Sequence, residues 1–284
     1  MPAQKQYTLQ QLQDITNSIR EDIVKMLLNA KSGHAAGSLG MAEVFTALYF
    51  SILNHDPKNP NMADRDRLVL SNGHICPVLY ATLAHAGYFP KQELMTLRQL
   101  GSRLQGHPNR LDLPGVEVSS GPLGQGISQA VGMALAGKID QKRYEIYCVT
   151  SDGELNEGQV WEALMFASKH QLYNLTLIID RNNIQIDGHT EAIMPLEPLK
   201  EKLESFNFFC LDIDGHNLEE IIDACQKAKA IYERPVAIIA HTIPGHGVDF
   251  MEYQPEWHGK TPDEKQAKDA LEDIRSLKGK IVYE

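Results

Sequence analysis

The stretch EIYCVTSDGELNEGQVWEALMFASKHQLYNLTLIIDRNNI (145–184) decides the fold. Two short apolar runs, EIYCVT (145–150) and LTLIID (175–180), flank EGQVWEALMFASKHQ (157–171), whose apolar residues recur at helical spacing. Strand, helix, strand in that order is the crossover unit of a parallel sheet covered on both faces. The first run leads into Ser151-Asp152-Gly153-Glu154 and the second into Arg181-Asn182-Asn183-Ile184. Open parallel sheets bind ligands at the carboxyl ends of their strands, so chemistry is expected at these two turns.

The flanking sequence extends the pattern. FFCLDI (208–213) and PVAIIAH (235–241) read as strands on either side of a helix at 218–232. Helical spacing covers 9–29, where Gly33 and Gly37 are expected to stop the helix, then 41–52, 77–86, 91–100 and 125–137. Residues 101–122 read as a long irregular loop, and loops of that length inside a compact domain tend to be functional. A polar helix at 262–277 is expected to pack outside. The fold class is α/β, with 1–284 as a single domain carrying a C-terminal helical extension.

Composition narrows the function classes. Of 284 residues 43% are hydrophobic and 23% charged, which excludes a disordered or fibrous chain. Twenty-seven Lys and Arg against 37 Asp and Glu give −10, a sign that disfavours nucleic acid as a partner. Cys76, Cys148, Cys210 and Cys225 are scattered with no CxxC pair, arguing against a zinc ribbon or disulfide framework. No apolar leader opens the sequence and no apolar run is long enough to cross a bilayer, so no membrane partner and a cytoplasmic location are expected.

At the two turns the residue types suit a hard cation. Asp152 offers an anionic oxygen, Asn182 a neutral one, and a backbone carbonyl near Ile184 a third. Mg²⁺ prefers such a small protein set completed by phosphate and water. Gly153 lets a phosphate approach the backbone beside the following helix. Together these describe a pocket for a magnesium pyrophosphate. A lone Asp-Gly is ordinarily a plain turn; two such exits around one helix are a stronger signal.

SDGELNEGQVWEA followed by IIDRNNIQIDG resembles the thiamine diphosphate motif, with the 30-residue Asp152-to-Asn182 separation found in transketolases. SGHAAGSLG (32–40), LSNGHICPVLY (70–80), QGHPNRLDLPGVEVSSGPLGQG (105–126) and WHGKTP (257–262) extend the resemblance over nearly the whole chain. It implies a thiamine-diphosphate-binding fold of the diphosphate-binding type. It also implies that Asp152, Asn182 and the Ile184 carbonyl hold Mg²⁺, with Ca²⁺ or Mn²⁺ able to substitute. Gly153, His74 and His258 would contact the diphosphate, and Gly121 and Leu123 the rest of the cofactor. Glu157 would support the helix start and bridge to a neighbouring subunit. His34 and His107, with His258, would face substrate. Two departures stand out: SGHAAG where the family has SGHPG, and SDG where it has GDG.

His34, His74, His107 and His258 each adjoin a glycine in a loop, and imidazole titrates where hydroxyl proton transfer needs it. His55, His85, His170, His189 and His216 read as surface or satisfied core residues, and His241 and His246 stay open. Trp161 and Phe166 read as core, Cys148 and Cys210 as inert buried thiols.

In the transketolase family the glutamate that activates the cofactor belongs to a second, pyrimidine-binding domain, as do the arginines that grip substrate phosphate. The resemblance therefore implies the N-terminal subunit of a split transketolase, completed by a C-terminal subunit in a two-plus-two heterotetramer acting on sugar phosphates, as in the pentose phosphate pathway. Alternatives at this point are a sugar-catabolic transketolase, such as one acting on apulose 4-phosphate, or dihydroxyacetone synthase. The others are 1-deoxyxylulose-5-phosphate synthase, a non-catalytic regulatory module and the α subunit of a 2-oxoacid dehydrogenase.

Overall fold

Successive residues of a strand face opposite sides of a sheet, so a sheet buried on both faces divides two cores. The computed structural model, which describes residues 6–280, shows this division residue by residue. The strands are β1 (Arg67–Leu70), β2 (Ile146–Ser151), β3 (Leu175–Arg181), the short antiparallel pair β4 (Ile184–Gln185) and β5 (Gly188–His189), then β6 (Phe209–Asp214) and β7 (Val236–His241). The helices are α1 (Leu9–Ala30), α2 (Ala36–Gly40), α3 (Ala42–Ala47), α4 (Cys76–Ala86), α5 (Gln125–Ile139), α6 (Gly158–Lys169), α7 (Thr190–Ile193), α8 (Leu199–Ser205), α9 (Leu218–Ala230) and α10 (Glu264–Lys280).

Five strands pair in parallel in the order β1-β2-β3-β7-β6. Tyr147 and Val149 of β2, Ile178 of β3 and Val236, Ile238 and Ala240 of β7 face the core built from α1, α3, α4, α9 and α10. Their neighbours Ile146, Cys148, Leu177, Ile179, Ala237 and Ile239 face the core built from α5, α6 and α8. Because all five strands run the same way, Leu70, Ser151, Arg181, Asp214 and His241 end on one edge.

The crossover unit and the two later strands form where the sequence reading puts them, within two residues. The short elements β4, β5, α7 and α8 carry no sequence expectation, and three further elements differ. A fifth strand, β1, precedes them; its four residues follow Asp64-Arg65-Asp66, too short an apolar run for periodicity to register. The helix read at 41–52 is α3 followed by a wider π-helical turn over Leu48–Ile52, and the short helix α2 precedes it. Gly40 interrupts helical propensity for a packing reason: a Cβ there would lie 2.9 Å from the Ile243 carbonyl oxygen. The stretch 91–100 contains only the 3-10 segment Lys91–Thr96. Helix α1 ends one residue beyond its expected 9–29 span, with Lys31 in the left-handed cap at φ 52° and its N–H donating to the Leu27 carbonyl. Helix α10 packs on α1 through Ala267, Ala270 and Ile274, as its exterior position requires.

A buried charge network braces the edge that carries the strand ends. Arg20 of α1, fully buried, donates from Nη2 to Glu43 Oε2 of α3 at 2.5 Å and from Nε to the Leu39 carbonyl at 3.2 Å. The Ile243 N–H donates to His216 Nε2 at 2.7 Å, so His216 Nδ1 carries the proton that reaches Glu43 Oε2 at 3.2 Å. Burial pushes the Glu43 carboxyl up, but Arg20 and His216 outweigh it and bring it down to about 2. Glu43, His216 and His246 lie within metal-ligating reach of one another, yet the carboxylate is already neutralised and both His216 nitrogens are engaged. The group therefore reads as a brace, and His216 as the satisfied core histidine that the sequence suggests. Glu43→Ala, which strands the Arg20 guanidinium, is expected to cost about 3–5 kcal/mol by denaturant unfolding, and Glu43→Gln distinctly less.

Candidate functional site

Three loops at this edge bring together the histidines singled out in the sequence. The turn after α1 carries His34, the turn after β1 carries His74, and the segment before α10 carries His258. Their ring centroids are 5.0 Å (His34–His74), 5.0 Å (His74–His258) and 5.6 Å (His34–His258) apart. His107 reaches the group from the long loop, exposed, with its ring 3.4 Å from where a Cβ on Gly121 would sit. His241 and His246 lie elsewhere. His241 is exposed against Asp212, and His246 stacks on His216 at 3.8 Å.

Clustered imidazoles removed from water lose basicity. Burial lowers His34 to about 4, with His258, Arg98 and His107 adding to it. Burial first, then His258 and the other two rings, takes His74 well below its ordinary value. His107 is lowered by burial and Arg98, and His258 by burial alone. At neutral pH the cluster is uncharged, so each ring presents one donor and one acceptor.

Beside the histidines, the ends of β2 and β3 assemble the carboxylates. Asp152 is wholly buried. Its Oδ2 accepts from Arg181 Nη1 at 3.0 Å and Asn183 N at 2.7 Å; its Oδ1 accepts from Gly153 N at 2.6 Å and, more weakly, Thr190 Oγ1 at 3.3 Å. Asn182 Nδ2 donates to Asp180 Oδ2 at 2.8 Å, while its Oδ1 accepts from the Ile184 N–H at 3.0 Å. Burial pushes Asp152 up against the pull of Arg181, and lifts Asp180 to about 7. Arg181 also pairs with Glu191 at 2.6 Å and Glu197 at 2.8 Å. Asp152, Glu191 and Glu197 thus surround a single guanidinium.

That excess of negative charge over hard oxygen donors suits a divalent cation. The long Thr190 contact is the one a cation would replace most readily on Asp152. Buried polar atoms without partners lie nearby. His34 Nδ1, Ser120 Oγ and both side-chain polar atoms of Asn72 are buried with no hydrogen-bond partner. Buried polar atoms of native proteins are nearly always paired, so such a cluster points to a missing partner. Gly121 keeps the adjoining space open, at φ 153°.

The remaining sequence candidates divide. Leu123 is half-buried beside Gly121, and Ile184 is buried in β4. Glu157 is exposed at the N-cap position of α6 and makes no capping hydrogen bond. The acidic residue that organises this junction is Glu154, fully buried and missed in the sequence. Its Oε1 accepts from Ser71 Oγ at 2.5 Å and Gly124 N at 2.7 Å, and its Oε2 from Ser151 N at 3.3 Å. One carboxylate therefore joins the loops of His74, Gly121 and Asp152. Its place two residues after Asp152 was the available signal, but turn acids are ordinarily solvated. Arg98 and Arg181 were missed for a similar reason. Phe166 is 43% exposed rather than core, whereas Trp161 is half-buried and donates from Nε1 to the Leu155 carbonyl. Cys148 is buried and Cys210 partly so, and burial pushes both thiols up, Cys210 to about 12.

Residues 11–277 match the family model described as "Transketolase, thiamine diphosphate binding domain". The "6-deoxy-6-sulfo-D-fructose transketolase subunit SqwG" of Clostridium sp. (strain MSTE9) is 43% identical, over 93% of this chain and 96% of that protein. An apulose-4-phosphate transketolase subunit of Phocaeicola vulgatus is 39% identical, over 93% and 94%. Human transketolase is 37% identical over 95% of this chain but only 43% of its own length. The crystal structure of Campylobacter jejuni transketolase superposes with a TM-score of 0.89 at 37% identity, covering 95% of this chain and 43% of that one. The chain thus spans less than half of those longer transketolases and nearly all of the separate subunits. By the match over its length, its sheet and its structural likeness, the chain belongs to the transketolase family, as a counterpart of that family's thiamine diphosphate binding domain.

Proposed function

We propose that this chain is the diphosphate-binding subunit of a two-subunit, Mg²⁺-dependent transketolase. It moves a two-carbon ketol unit from a ketose to an aldose together with a separate pyrimidine-binding C-terminal subunit, in a two-plus-two assembly located in the cytoplasm. The observation that carries the reading is the juxtaposition of the Asp152–Asn182 oxygen cluster with four loop histidines. The near end-to-end match to separately encoded subunits supports it. Those relatives are named for a sulfonated sugar and a sugar phosphate, which supports a ketose bearing a terminal anionic group as the substrate.

Asp152, Asn182 and the Ile184 carbonyl would hold Mg²⁺; Gly153, His74 and His258 would bind the diphosphate; Gly121 and Leu123 would flank the rings. When bound, thiamine diphosphate supplies the carbanion-stabilising chemistry that ketol transfer requires. The chain's own part is to position and to move protons. Neutral His34, His107 and His258 can donate to a donor carbonyl or take a proton from a substrate hydroxyl without first losing one. Glu157, exposed, is free to meet a neighbouring subunit.

Complementation tests the reading. The isolated chain should show no ketol transfer, and adding the C-terminal subunit should raise it by at least about 10³-fold, a loss of acid–base function being worth 10²–10⁴. Robust activity from the chain alone would overturn the two-subunit assignment.

A further inference from the structure

We propose that Arg98 is a positioning residue that sets the spacing between the His34 and His107 loops; this rests on the reading of those histidines as facing substrate. Arg98 follows the 3-10 segment Lys91–Thr96 and adopts φ 58°, with its N–H donating to the Leu104 carbonyl at 2.9 Å. A left-handed backbone at a long-chain residue is uncommon and holds only where the surroundings over-determine it. Here it aims the guanidinium between two Gly-His pairs. Nη1 donates to Ser32 Oγ at 2.9 Å, two residues before His34; Nη2 donates to the Gly106 carbonyl at 3.2 Å, one residue before His107.

The glycine before His107 is explained by the same side chain. A Cβ on Gly106 would sit 2.8 Å from Arg98 Cζ and 3.0 Å from Nε, so any other residue would displace the guanidinium. The His107 loop has a second anchor on α4, where Tyr80 donates to the Gln105 carbonyl at 2.9 Å and Cys76 Sγ to the Gly106 carbonyl at 3.2 Å. The His34 turn is held from its other side by Ser38 Oγ, which donates to the His34 carbonyl at 2.8 Å. Arg98 spans the gap between these two anchored loops. It lines a cleft of about 800 Å³ with Ser32, Gln105, Gly106 and Asp112.

The fork geometry matters as much as the charge. A guanidinium can bridge two acceptors at fixed separation, whereas an ammonium is a point donor on a flexible stem. Arg98→Lys keeps the charge and loses the bridge; Arg98→Met loses both. The charge has its own signature. His34 faces His74, His258 and His107 as well as Arg98, and His107 faces Arg98. Removing the cation should raise the basicity of both rings.

The test uses the assembled two-subunit complex with thiamine diphosphate and Mg²⁺. Both Arg98 variants should lose about 10- to 100-fold in kcat/KM for the ketose, the scale of a misplaced reacting group. Cofactor affinity by calorimetry should stay within about twofold of wild type. The acid limb of the kcat/KM profile should move up in Arg98→Met and stay in place in Arg98→Lys. Ser32→Ala, which breaks one arm and leaves the arginine, should show a smaller loss of about threefold in the same parameter. Near wild-type kcat/KM in Arg98→Lys would overturn the positioning role, as would a loss of turnover that merely tracks falling Tm and cofactor affinity. A wild-type complex without ketol transfer would instead sink the underlying functional reading, so the two failures are distinguishable.

Discussion

Asp152→Ala in the assembled complex is expected to weaken Mg²⁺-supported thiamine diphosphate binding by more than about 100-fold, since even residues that only orient a metal's ligands cost 10- to 100-fold. On the β2 exit, Asp152 Oδ1 has a second contact as long as 3.3 Å. The variant should still fold. Arg181 would keep Glu191 at 2.6 Å and Glu197 at 2.8 Å, so its charge is not stranded. Losing the Asp152 hydrogen bonds should therefore cost about 1–3 kcal/mol rather than the whole of the stability. Asp152→Asn, similar in volume but uncharged, should fall between the two. Calorimetric titration of thiamine diphosphate with and without Mg²⁺ separates the cases. An unchanged affinity in Asp152→Ala would remove the metal assignment.

How far these residues were legible in sequence depended on whether their signal was local. The β2–α6–β3 unit was readable because each element carries its own periodicity, and its two exits named Asp152 and Asn182 at once. The glycine-flanked histidines were equally readable, because a loop residue's role depends on the backbone beside it. Glu154 and Arg98 were not. Each acts by joining segments far apart in the chain: Ser71 with Gly124 and Ser151 in one case, Ser32 with Gly106 in the other. No spacing rule connects residues whose only relation is a shared side chain in three dimensions. The same holds for Arg20 and Glu43, which look like solvated helix charges until α1 and α3 are packed. Strand β1 was missed for the opposite reason. It has local signal but only four residues of it, and its membership comes from pairing with β2.

Replacing His258 by alanine should separate chemistry from architecture. His258 is half-buried, its ring touches those of His34 and His74, and no side-chain hydrogen bond from it occurs among the described residues. Its removal deletes no bond the fold depends on, so Tm should shift by no more than about 2 °C. If it moves a proton at the substrate, kcat should fall by about 10²–10⁴-fold. The pH profile adds an independent mark. After burial, the neighbouring His258 ring is the next contribution lowering both His34 and His74. In the wild-type complex the acid limb of kcat/KM should therefore lie well below 6.5, towards the value of about 4 held by His34. In His258→Ala that limb should move upward, because a ring protonates more easily once a neighbouring positive charge is no longer possible. A large drop in Tm with a proportionate loss of activity would instead make His258 a packing residue. An unmoved acid limb would show that the three rings do not share their charge.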